Sequence, residues 1–198
     1  MFYKGFLVCT LGLILLSCTN RLEVVSIDEI EIIRTSRDST YFKDGSLFTG
    51  QIIKIVDDKE LLSFSVNRGK IDGQYIEYHT SGSKKNISNY KNGILDGSYT
   101  SYYDNEKLME ESHYKNGLME GNRILRWANG NVKEKNFLKK GAINGVSEFY
   151  YSNGNLRKVI SFDKYNRRDG EWIDYHSDGK IKLKVVYASG KFLDSIIY

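Results

Sequence analysis

Side chains able to do chemistry are sparse in this 198-residue chain, which holds three His, two Cys and 25 acidic residues. His113 stands beside Tyr114 with no second ligand at zinc-motif spacing. His79 and His176 fall in chemically similar settings, each one residue after a Tyr. The stretch Gly45-Ser-Leu-Phe-Thr-Gly50 has the two-glycine spacing of a phosphate-binding loop, but Gln51-Ile52 follows where Lys and Ser/Thr are required. There is no Gly-x-Ser-x-Gly elbow and no Gly-x-Gly-x-x-Gly fingerprint. Most carboxylates lie beside turns or Lys residues, the setting of a solvated surface. The sequence therefore predicts a non-enzymatic protein with no cofactor and no metal. A net charge of +4 is far from the dense basic footprint of a nucleic-acid binder.

Both Cys lie near the start. Lys4 precedes an apolar run, Gly5 to Leu16, that holds Cys9 and is shorter than the roughly 20 residues needed to span a bilayer. The run ends in Leu15-Leu16-Ser17-Cys18, which resembles a bacterial lipobox, where the Cys is lipidated and becomes the first mature residue. On this reading residues 1–18 are a lipoprotein leader and Cys18 anchors the protein to the membrane of the bacterial cell envelope. Thr19 rather than Asp follows the Cys, which favours the outer over the inner membrane. The mature chain has no other Cys, excluding internal disulfides and Cys-ligated metals.

The elements that must position any site are set by glycine. Gly73, Gly97, Gly121, Gly145 and Gly170 recur at intervals of 24, 24, 24 and 25 residues and open five similar units, the signature of a repeat array. Nine residues after each opening glycine stand Gly82, Glu106, Gly130, Gly154 and Gly179, preceded by Ser81, Asn105, Asn129, Asn153 and Asp178. Asn-Gly and Asp-Gly between β-rich runs predict type I′ hairpins. Twenty residues after the opening glycine stand Gly93, Gly117, Gly141 and Gly190, with Tyr165 as the exception. The extra residue falls in the same unit, within Asp163–Gly170.

Each unit thus contains two strands of six to eight residues, with no helical periodicity. The first carries aromatics at offsets five and six: Tyr78, Tyr102 with Tyr103, Trp127, Tyr150 with Tyr151, and Tyr175. His79 and His176 occupy offset six, which marks them as members of that aromatic column. Offset eleven is Leu108, Val132, Leu156 and Ile181, but Lys84 in the first unit. Offset seventeen is Tyr90, Tyr114, Leu138, Phe162 and Tyr187. Whether each loop holds two or three residues is left open, and with it which face is buried, because a one-residue slip exchanges the faces. Ahead of the array, residues 19–40 form a tether and N-terminal strands, and residues 41–72 a degenerate first repeat or cap with a hairpin turn at Asp44-Gly45. Residues 73–198 carry the regular repeats. The fold expected is all-β, an elongated antiparallel meander of hairpins.

The recurring Gly-x-Trp/Tyr-x-x-Tyr-Tyr-x-Asn-Gly-x-Leu unit, closing in Tyr-x-Asn-Gly-x-x-x-Gly, resembles the bacterial variant of the MORN repeat. Gly97–Gly121, Gly145–Gly154 and Gly170-Glu-Trp172 to Gly179 carry it best, within a resemblance spanning roughly Tyr41 to Phe192. The resemblance implies an antitoxin-like or scaffolding role and, through related repeats, an association with membranes and lipid head groups. The expectation drawn here is a lipid-anchored envelope module that binds another protein, as a scaffold or immunity factor. A surface for lipid head groups or glycans is the alternative. Tyr78, Tyr102, Tyr103, Trp127, Tyr150, Tyr151, Trp172 and Tyr175 are the candidate binding aromatics, since Tyr and Trp anchor interfaces.

Overall fold

β-branched and aromatic runs cut by Gly, Asn and Asp turns fold into strands, and a computed structural model describes residues 22–34 and 39–198. The leader, Cys18, the start of the tether and residues 35–38 lie outside the described residues. The N-terminal part holds β1 (Val24–Ser26), a 3-10 turn (Ile27–Glu29), β2 (Glu31–Arg34), β3 (Ser39–Lys43) and β4 (Ser46–Leu47). Ser26 and Glu29 close that turn reciprocally as a capping box. Asp44 and Gly45, both at positive φ, make the predicted β3–β4 hairpin.

The chain continues through β5 (Gly50–Val56), β6 (Lys59–Asn67), β7 (Lys70–Tyr78), β8 (Lys84–Lys91), β9 (Ile94–Tyr102) and β10 (Leu108–Lys115). Next come β11 (Leu118–Met119), β12 (Gly121–Arg126), β13 (Val132–Lys139), β14 (Ala142–Ile143) and β15 (Gly145–Tyr150). The last are β16 (Leu156–Phe162), β17 (Gly170–Tyr175), β18 (Ile181–Ala188) and β19 (Lys191–Ile197). From β5 onward these strands form one antiparallel meander, each beside its sequence neighbour, with β11 and β14 as short extensions on β10 and β13. β1 joins in parallel against β5. Strands β2, β3 and β4 form a second, small sheet.

That small sheet lies over one face of the meander near its start. Val25, Tyr41, Phe48, Ile52, Phe64 and Val66 are buried between the two layers, with the Tyr41 and Phe64 rings edge-on at 5.3 Å. Beyond this cap, Leu138 is the one further buried hydrophobic side chain among the described residues, and the ribbon runs on as a single layer.

The two ends of each hairpin differ. Asn92-Gly93, Asn116-Gly117, Lys140-Gly141 and Ser189-Gly190 have both residues at positive φ, the signature of two-residue type I′ turns. At the other edge the prediction of I′ turns is corrected. Gly82, Glu106, Gly130, Gly154 and Gly179 have positive φ, but the Ser, Asn or Asp before each does not. These are five-residue loops, closed by the N–H of Tyr103 on the Lys107 carbonyl at 2.9 Å and its equivalents, such as Trp127 on Asn131 at 2.8 Å. The Asn or Asp serves a different purpose there. Asn105, Asn129, Asn153 and Asp178 each accept from the backbone N–H two residues on, at 3.0–3.2 Å, an Asx turn.

Candidate functional site

Successive repeats are stapled together along both edges. The opening glycines sit at positive φ inside or at the start of a strand, for instance φ 105° at Gly73 and 118° at Gly97, and kink the chain as a bulge glycine does. The acidic residue just before reaches the next I′ turn. Asp72 accepts from the Asn92 N–H at 3.2 Å, Asp96 from Asn116 at 2.9 Å, Glu120 from Lys140 at 2.8 Å and Asp169 from Ser189 at 2.9 Å. Asn144 stands where the next acid would be. The turn it would cap is absent. In its place is the five-residue loop Asp163–Arg167, with Asn166 at φ 59°. Asp163 caps that loop from within, accepting from the Tyr165 and Arg167 N–H groups, and these bonds hold its carboxyl below the usual range.

At the opposite edge the offset-six column does the stapling. The His79 Nε2 lies 3.0 Å from the Tyr102 carbonyl, the Tyr103 hydroxyl donates to Arg126 O at 2.7 Å, Trp127 Nε1 to Tyr150 O at 3.2 Å and the Tyr151 hydroxyl to Tyr175 O at 2.8 Å. Tyr103, Trp127 and Tyr151 therefore commit their polar tips to the backbone of the following repeat. Asn129, Asn131, Asn153 and Asn155 add amide bonds to Ser152 O and Ser177 O.

Strand register now assigns the faces. On the capped face one row crosses the sheet from Phe64 to Tyr75, Ser88, Tyr99 and Ser112. Arg123 paired with Asn136, Ser147 with Ile160, and Trp172 with Val185 continue the offset-two column on the same side. Rings of this face meet the offset-seventeen column, with Tyr75–Tyr90 at 5.8 Å, Tyr99–Tyr114 at 6.1 Å and Trp172–Tyr187 at 5.2 Å. Ser88, Ser112 and Ser147 are buried between the larger groups, small enough to let them close up. Arg123 donates to Glu110 at 2.8 Å and lies 3.5 Å from Glu134, so two carboxylates on adjacent strands hold it protonated. Arg168 stacks over Trp172 at 4.6 Å and bonds the Tyr187 hydroxyl at 3.1 Å. Tyr75, Tyr99 and Arg123 were not singled out by the sequence reading.

The offset-five residues Tyr78, Tyr102, Tyr150 and Tyr175 point to the other face, all half-buried. Each pairs across the strand with its offset-eleven residue: Tyr102 with Leu108, Tyr150 with Leu156 and Tyr175 with Ile181. The Tyr150 hydroxyl donates to Glu148 at 2.6 Å, and burial together with that carboxylate pushes the phenol up to about 12. Burial under the cap does the same for Tyr75, also to about 12. Phe137 and Val146, on neighbouring strands of this face, are 43% and 52% exposed. His113 and His176 are both exposed. Among the described residues no three His, Cys, Asp or Glu side chains gather closely enough to hold a metal ion.

Comparison with known proteins fits this geometry. No curated protein matches the chain. Residues 71–92, 95–116, 143–164 and 168–189 each match the MORN repeat variant. The intervening β12–β13 hairpin has the same build, with Arg123 and Arg126 where its neighbours at those offsets mostly have aromatic rings. Four stretches of the chain are thus copies of the MORN repeat variant: three end in a turn that the acid before the bulge glycine caps, and residues 143–164 end in the loop that caps itself.

Proposed function

We propose that this chain is a non-enzymatic, lipid-anchored protein of the bacterial cell envelope whose repeat ribbon binds another protein. The observation that carries this reading is the uncovered second face, where Phe137 and Val146 lie side by side, exposed, and bordered by the ion pairs Lys135–Glu148 and Arg126–Glu111. An apolar centre inside a charged rim is how protein interfaces are built. The acid-capped turns and the offset-six rings are occupied in stapling repeats, whereas this sheet face is free for recognition. Anchorage is supported by the Leu15-Leu-Ser-Cys18 sequence, and lipid anchoring by more than one acyl chain holds a protein stably at a membrane.

The test is crosslinking and capture from the membrane fraction, followed by identification of the captured protein. One partner, lost in Phe137→Ser with Val146→Ser and retained in variants of the opposite face such as Tyr99→Phe, is expected. Cys18→Ser should abolish fatty-acid labelling. A variant that still labels overturns the anchor, and capture indifferent to the Phe137 patch overturns the binding face.

A further inference from the structure

Two departures from the repeat meet at one place. In the later repeats the offset-five residue is paired with an aliphatic side chain, Leu108, Val132, Leu156 or Ile181, each half-buried. Tyr78 is paired instead with Lys84, which is exposed. In the adjoining loop Glu106 occupies φ 62°, where the other four loops have glycine, a conformation L side chains adopt at a cost. Among the described residues neither side chain has a salt-bridge or hydrogen-bond partner. Together with Tyr78, Tyr102, Gly82 and Ser83 they line a groove of about 450 Å³, within the size range of small-ligand clefts.

We infer that this groove is a carbohydrate site that takes one or two rings of a neutral oligosaccharide. Tyr78 and Tyr102 are equivalent positions of successive repeats, so their backbones stand two strands, or about 10 Å, apart. That interval admits one flat group in contact with both rings, and the C–H faces of a pyranose are such a group. Lys84 only donates and Glu106 only accepts, while Ser83 and the Tyr102 hydroxyl do both, which matches a ring bearing adjacent hydroxyls. The opposite charges cancel, so neither an anion nor a cation is favoured by the field of the groove. This inference is independent of the protein-binding reading, which uses other residues.

The test is a titration of the full chain with chitotriose, maltotriose and cellotriose, followed by amide NMR shifts. At least one sugar should give saturable shifts confined to residues 78–84 and 102–106. Lys84→Leu restores the aliphatic partner and Glu106→Gly the loop glycine. Each should weaken binding by about tenfold or more, the loss of one hydrogen bond, while melting at or above the parent temperature. Absence of saturable shifts with all three sugars, or undiminished binding in both variants, overturns the site. So does saturation of the same amides by phosphocholine alone.

Discussion

Between Val25 and Tyr75 the chain builds two layers, and β2–β4 press Tyr41 and Phe48 onto Ile52, Phe64 and Val66. From β8 to β19 it builds one, and its buried groups are chiefly serines and an asparagine. The first region is held by apolar burial, which is shared among many residues and lost as a whole. The second is held by links from each repeat to the next, the acid-to-turn bonds on one edge and the ring-to-carbonyl bonds on the other. A repeat array of this kind behaves as a sum of nearest-neighbour terms. The contrast teaches that a thin sheet remains specific when polar staples replace a core.

Substitution inside the cap should separate the two regions most strongly. Phe64→Ala removes a ring that is 2% exposed and should cost about 3–5 kcal/mol in chemical denaturation. Phe137→Ala, on the open ribbon, should cost under about 1 kcal/mol. Equal losses would erase the distinction. A smaller effect is expected from Asp96→Ala, which frees the Asn116 N–H: roughly 1 kcal/mol, read as faster hydrogen exchange at residues 116–117 with protection in β5 and β6 unchanged. Exchange that accelerates everywhere would mean that the ribbon melts as one body.

The smallest effect is a loss of stability confined to high pH. Tyr75 and Tyr150 have phenols raised to about 12 from a usual value of 10. The folded state keeps these protons where the unfolded state releases them, so their stabilisation is complete below pH 10 and lost as pH rises through about 12. Glu148→Gln should let Tyr150 ionise earlier in a phenolate absorbance titration and leave Tyr75 unmoved. A shift of both would show that cap and ribbon are electrostatically coupled.

The repeat period and the strand order were legible in the sequence because glycine at positive φ cannot be exchanged freely, so its spacing survives in the chain. The turn chemistry was half legible. Asn-Gly serves the I′ turn at Asn116-Gly117 and the Asx turn at Asn129-Gly130 alike, and only the number of residues between the closing bonds tells them apart. The offset-two column was seen only at Trp172, because Arg123 and Ser147 break the run of rings at Tyr75, Tyr99 and Trp172. The acids before the bulge glycines were visible, whereas their partner, a backbone N–H twenty residues later, has no residue type to reveal it.

The fixed reach of those acids also governs how such a chain changes length over its history. A whole hairpin pair added or removed leaves every capped turn facing its acid, so growth by complete repeats is conformationally silent. A lone extra residue misaligns the bonds downstream of it unless the turn it enters no longer needs a cap. The added residue of the Gly145 unit lies between Asp163 and Gly170, beside the loop that caps itself and after the one acid replaced by Asn144. Inserted residues should therefore accumulate across related chains where the acid is missing, and lengths elsewhere should step in units of a repeat.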